Sequence, residues 1–341
     1  MLNIIMTAVN AIAPMVLLIG LGYILKQKGF FTKEFLKIGN TLVFRYCMPT
    51  LLFINIYGIE NLQQMNLTVA VYCVAITMVL FALGYTAAVL VTKVPDRRGV
   101  LLQCTFRSNF AVIGLALASA LGGAQAVANA AIVTAVIIPL YNILGVISLT
   151  MFMGGGDNDK DRIKSILMNI VKNPMILGVL AAMSCVLIRQ IQQNLFGRVV
   201  FSLQRDLTFV YTAINNLKSL TTPFALILLG GQFEFGAVKS FRKEIVTGTL
   251  LRIVIAPAIG IGLAIILSTY TSLISFDADT YPALIALYGS PVAVTSAVMA
   301  GAMGNDEQLA SQLVVWTSVL SIATIFAQVC MMMYMGLIRI S

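Results

Sequence analysis

Residues 287–295 read Leu287-Tyr288-Gly289-Ser290-Pro291-Val292-Ala293-Val294-Thr295, and residues 106–114 read Phe106-Arg107-Ser108-Asn109-Phe110-Ala111-Val112-Ile113-Gly114. Setting Ser108 on Ser290, an offset of 182, also pairs Ala111 with Ala293, Val112 with Val294, Ala118 with Ala300 and Gly122 with Gly304. It continues through Ala120 and Ala302, Ala128 and Ala310, and Val133 and Val315. Earlier stretches match once loops absorb small changes of offset. Pro14-Met15 falls on Pro174-Met175, and Pro49, Leu52 and Glu60 fall on Pro223, Leu226 and Glu234. Ala82, Gly84 and Ala88 fall on Ala258, Gly260 and Ala264. Matches in this order, with Pro and Gly among them, mark a chain built from two related halves.

The surroundings of these stretches are apolar. Hydrophobic residues make up 59% of the chain and charged residues 10%, with a mean hydropathy of +0.95. A soluble domain of 341 residues could not cover its surface with so few charges. Ten hydrophobic segments are expected, at 5–25, 40–57, 67–92, 101–121, 126–152, 172–189, 207–231, 244–270, 280–302 and 309–338. Most approach the roughly 20 residues that a spanning helix needs. The fold class is therefore an all-α, polytopic membrane protein of ten transmembrane helices. The N-terminus enters its first apolar run without a basic region or small-residue cleavage site, which reads as a retained helix rather than a signal peptide.

Basic residues set the orientation. Lys26, Lys28, Lys33 and Lys37 lie in the first loop, Lys93, Arg97 and Arg98 in the third, Lys160, Arg162, Lys164 and Lys172 in the fifth, and Lys239, Arg242 and Lys243 in the seventh. The second, fourth and eighth loops carry none, and only the sixth breaks the pattern, with Arg189, Arg198 and Arg205. By the positive-inside bias, odd-numbered loops are cytoplasmic and both termini extracytoplasmic, in a cell inner membrane. Five helices per half oblige the halves to be inverted: 1–153 forms the first repeat, 154–171 a cytoplasmic linker and 172–341 the second repeat. The linker run Asp157-Asn158-Asp159-Lys160-Asp161-Arg162 is no calcium loop, because Arg162 and Met168 stand where an EF-hand requires Gly and a bidentate acid.

Inverted repeats are a recurrent plan for secondary transporters, with the site near mid-membrane where helices are interrupted. The fourth and ninth segments fit that role. Pro291 supplies no backbone N–H, and Gly289 tolerates unusual dihedrals. A break there leaves free N–H groups and a positive half-helix dipole, suited to a carboxylate. Arg107 is permanently charged; it either attracts an anion or snorkels to headgroups. Asn109 and Ser290 either coordinate the ligand or hydrogen-bond between helices. Thr295 closes the ninth stretch, and Asn142, beside Tyr141 and Pro139, is a further candidate contact. Arg45, Lys218 and Arg252 read as interfacial anchors. Neither interrupted stretch holds a central Asp or Glu, which favours an anion over a cation.

The enzyme classes recede on the same residues. The chain has no His, its five cysteines (Cys47, Cys73, Cys104, Cys185, Cys330) lie in apolar segments without CxxC spacing, and no nucleophile–base pair stands at a known spacing. No cofactor, metal or nucleic acid is expected, despite a net charge of +9.

At Arg107-Ser108-Asn109-Phe110, Gly114, Pro139-Leu140-Tyr141-Asn142, Ser290-Pro291-Val292-Ala293 and Gly304-Asn305-Asp306 the chain resembles the auxin efflux carrier family, in the bacterial branch with malate and malonate permeases. The resemblance spans essentially the whole chain. It implies a scaffold domain, a transport domain with two crossing broken helices at Gly114 and at Gly289 and Pro291, and often a homodimer. It implies elevator-like movement of carboxylates bound by polar residues at the crossing. Plant members usually place Pro at both crossings, whereas the fourth segment here has Gly114 and no Pro. A sodium-coupled symporter like the bile acid family, or a non-transporting sensor on the same fold, stays as an alternative.

Overall fold

The structure is a computed structural model; it describes the backbone of residues 2–58, 67–110, 115–153, 168, 172–271 and 276–338. Gly114 and the charged run at 157–162 lie outside these residues, as do Glu60, Ala111 and Val112. Among the described residues the chain is helical, with no strand beyond one isolated bridge. Long apolar runs without water leave the backbone only its own carbonyls as partners, and the helix supplies them.

Helix α1 (Leu2–Gln27) contains Pro14. Helix α2 (Lys33–Leu42) continues through a π-helical turn (Val43–Cys47) into α3 (Met48–Tyr57). Then come α4 (Leu67–Val91), α5 (Pro95–Phe106) and α6 (Leu115–Thr150). The second half opens with α7 (Pro174–Phe196), whose first turn is capped by the Asn173 side chain, and continues with α8 (Leu203–Asp206) and α9 (Thr208–Gln232). Helix α10 (Arg242–Leu250) passes through a second π-helical turn (Leu251–Ile255) into α11 (Ala256–Tyr270). Helix α12 (Tyr281–Leu284) runs into a third (Ile285–Gly289), followed by α13 (Val294–Ala302) and α14 (Glu307–Tyr334).

Among the described residues, five stretches are long and apolar enough to cross a membrane: Thr68–Val91, Ile132–Thr150, Pro174–Phe196, Arg242–Tyr270 and Glu307–Tyr334. Their outward faces carry large apolar side chains, such as Leu90 on α4 and Leu177, Leu180, Leu187 and Ile191 on α7. In water such faces would be costly; in lipid they are at home.

The gap expected at 122–125, between the fourth and fifth segments, is absent. Helix α6 runs unbroken for 36 residues, about 54 Å at 1.5 Å per residue. The stretch has no Pro and no charge to end a helix there. Gly122 serves close approach instead of a turn: a Cβ at this position would lie 2.8 Å from the Pro282 ring.

Packing divides the helices into two groups. Helix α1 lies along α9 and α7 along α3, with α3 and α9 also in contact. In the other group α4, α5 and α6 pack together, α6 meets α12, and α14 meets α10 and α13. Helix α14 also packs on α1, joining the groups. At one end Arg97 binds Asp306 (3.1 Å) and Glu244 (3.4 Å) and lies over the Phe241 ring, fastening α5, α10 and α14 to one another.

Candidate functional site

Two helix ends meet at the centre of the second group. Helix α5 stops at Phe106, and Arg107 is already extended (φ −89°, ψ 100°). The π-helical turn stops at Gly289, Ser290 is extended (φ −64°, ψ 148°), and helix resumes at Val294. Pro291 cannot carry a helical hydrogen bond forward, and at Gly289 a Cβ would sit 2.4 Å from Gln328 Oε1 on α14.

The freed backbones pair with each other. Ser108 and Val292 form an antiparallel bridge; Asn109 N–H donates to the Pro291 carbonyl (2.8 Å) and Ala293 N–H to the Arg107 carbonyl (3.3 Å). Val292 N–H donates to Thr317 Oγ1 (3.1 Å). Buried main-chain groups that leave a helix need such partners.

Arg107 projects inward and is only 3% exposed, so it does not snorkel to a headgroup. Its Nη2 donates to Asn142 Oδ1 (2.9 Å) and Thr295 Oγ1 (3.2 Å), while Nη1 contacts Met299 Sδ (2.9 Å). Asn142 is held in turn by its Nδ2, which donates to the Ile138 carbonyl (2.7 Å) on α6. Asn109 Nδ2 has a weak partner, Met15 Sδ at 3.6 Å on α1. Arg107, Asn109, Asn142 and Thr295 line a cavity of about 30 Å³, closed by Met48, Leu52, Tyr141 and Met175. That volume holds a water or two, not an organic ligand.

Four of the five residues expected to bind ligand thus share one cavity, drawn from α6, α13 and the stretch after α5. Ser290 does not join them: its hydroxyl donates back to the Ala286 carbonyl one turn earlier. A larger cavity of about 640 Å³ opens further along the same elements, lined by Phe44, Arg45, Thr150, Lys172, Asn173 and Met303. Arg45 and Lys172 give its mouth a positive charge.

Arg252 corrects the expectation of an interfacial anchor. Its side chain is fully buried. Nη1 donates to the carbonyls of Thr105 and Phe106 (both 3.2 Å), and Nη2 to those of Leu287 (3.3 Å) and Tyr288 (2.6 Å). One guanidinium therefore caps two helix C-terminal ends, at Phe106 and at Gly289. The sequence signal was present, a lone charge inside a long apolar run, but main-chain partners have no side-chain signature.

The arrangement as a whole is a buried cation with amide and hydroxyl groups around it and no carboxylate among the described residues of its lining. An uncharacterized transporter of Methanocaldococcus jannaschii is 25% identical over 264 residues, which is 74% of this chain and 78% of that protein. The membrane transport protein family matches residues 7–327. The long apolar helices, the buried polar groups where two helices end and a family match over nearly the full length agree: this chain belongs to the membrane transport protein family, that of the auxin efflux carriers, and is a transporter rather than an enzyme.

Proposed function

We propose that the chain is a secondary transporter that moves small carboxylate-bearing organic anions by elevator-like alternating access, binding them beside Arg107 at the crossing. The observation that carries the reading is the Arg107 guanidinium. It is buried, has amide, hydroxyl and thioether neighbours, and has no acidic partner among the described residues. A buried cation without a counter-charge is costly, and an anionic ligand that supplies one is favoured for that reason. The planar fork suits a carboxylate.

The inverted repeat is supported by register. The offset of 182 makes Asn109 and Pro291 equivalent, and the antiparallel pairing sets these two residues opposite each other. A two-fold axis lying in the membrane plane and passing between them gives that register. On this reading there are ten membrane segments, the fourth joined to the fifth through the continuous α6, with α5 and the Tyr281–Gly289 helix as the first parts of two broken, crossing helices. The group containing α1, α3, α7 and α9 acts as scaffold and dimer surface, and the other group moves. Both termini lie outside, and the 640 Å³ cavity is the cytoplasmic vestibule. No specific observation favours a sodium-coupled symporter or a sensor.

The test is uptake of labelled malate and malonate into proteoliposomes. Asn109→Ala and Asn142→Ala should each lower uptake about 10-fold or more, the equivalent of ~1.4 kcal/mol of lost transition-state stabilisation. Ser290→Ala should cost less, because its hydroxyl is turned onto its own helix. Wild-type rates in both Asn variants would remove the site assignment.

A further inference from the structure

The Arg252 cage has a symmetry that its distances alone do not announce. Nη1 donates to the carbonyls of Thr105 and Phe106, and Nη2 to those of Leu287 and Tyr288. Adding 182 to 105 and 106 gives 287 and 288, so the two pairs are the same positions in the two halves. On the inverted-repeat reading the guanidinium would sit on the local two-fold axis, and its own fork, symmetric about the Cζ–Nε bond, matches the two pairs. Such a place has room for one occupant. At the offset of 176 that aligns Ala82 with Ala258, the first half carries buried Ile76 where the second carries Arg252.

Physically, the site is a concentration of negative potential. Two helices end there side by side, each presenting carbonyls that have no partner in their own helix and the negative end of a helix dipole. In transporters with interrupted helices, such unwound carbonyls and half-helix C-termini are where a coupling cation is coordinated. Here the protein fills the place with a side chain. Arg252 lies in the membrane-spanning stretch Arg242–Tyr270, on a π-helical turn that offsets its side chain from the regular helix face, and no acidic partner stands near it among the described residues.

We propose that Arg252 is a resident cation of the crossing: a positioning residue that holds the two helix C-termini together where a monovalent cation would otherwise bind, so that the folded crossing needs no bound sodium. The cage stands on geometry alone; its consequence for coupling rests on the transport reading above. Two outcomes follow. The wild-type protein is indifferent to sodium at this place, and removal of the side chain leaves a carbonyl cage open to small cations.

The experiment is thermal unfolding of the purified full-length protein in choline, sodium, potassium or guanidinium chloride, at equal ionic strength and below denaturing concentration. Wild type should show the same midpoint in sodium as in choline. Arg252→Ala should unfold several degrees lower in choline and recover part of that loss in guanidinium or sodium. Arg252→Met, which keeps the bulk and removes the charge, should be lowered without recovery, and Arg252→Lys should fall between Met and wild type. The proposal is overturned if sodium raises the wild-type midpoint over choline, or if Arg252→Met matches wild type. It is also overturned if Arg252→Ala folds but no cation restores it. The wild-type comparison needs no variant, so a failure of Arg252→Ala to fold leaves the proposal open to refutation. Because the readout is unfolding, an absence of malate transport would count against the proposed function and leave this result standing.

Discussion

Asn142 fixes the pose of Arg107, because its own amide is oriented by the Ile138 carbonyl and presents Oδ1 to the guanidinium. Asn142→Leu would take away that acceptor and leave a buried donor short, at a cost of about 1–3 kcal/mol visible as a lower unfolding midpoint. Asn142→Asp should behave in the opposite sense. It would set a carboxylate against Arg107, preserve or raise stability, and abolish anion binding by neutralising the site; unfolding midpoint and uptake measured together separate the two effects. At this scale the sequence singled out residues that the fold gathers around one cavity. Arg107, Asn109, Asn142 and Thr295 stand out because polar residues clustered in apolar runs need a reason. Ser290 and Arg252 were misleading for a shared cause. The direction of the Ser290 hydroxyl depends on one extended residue, and the partners of Arg252 are backbone carbonyls. Neither is encoded in which side chains occur nearby.

Between elements, the crossing of α1 and α9 is set by two glycines. A Cβ on Gly22 would lie 2.0 Å from the Ile227 carbonyl oxygen, and one on Gly230 would lie 1.9 Å from that of Ile19. Backbone cannot yield as a side-chain tip can, so the helices must separate. Gly22→Ala and Gly230→Ala should each destabilise by about 1–3 kcal/mol or more, as overpacking does. Gly20→Ala, with nothing within 4 Å, should be neutral or slightly stabilising in the same thermal scan. The vestibule gives a second prediction. Arg45→Gln and Lys172→Gln should raise the KM for a dicarboxylate with little change in kcat, and the effect should shrink as salt screens the mouth. Helix positions were legible from long apolar runs, and the break at Ser290 from Gly289 and Pro291. The continuity of α6 was not, since Gly122 and Gly123 look like a turn until Pro282 is seen packed against the first of them.

For the whole molecule, composition alone excluded a soluble fold, and the repeat expected from the sequence directed attention to the place where α5 and the Tyr281–Gly289 helix end. What it could not show was the packing into two groups, which depends on contacts between helices far apart in sequence, such as α1 with α9 and α3 with α7. The central claim is that the Arg107 cavity opens alternately to the two sides of the membrane. It is tested most directly by Thr295→Cys in a chain whose five natural cysteines are replaced by Ser or Ala. Reconstituted in vesicles, this variant is exposed to a membrane-impermeant thiol reagent from one side at a time. The account predicts labelling from both sides, slowed from both by malate or malonate. Labelling from one side alone, or labelling from both that no organic anion alters, would contradict it.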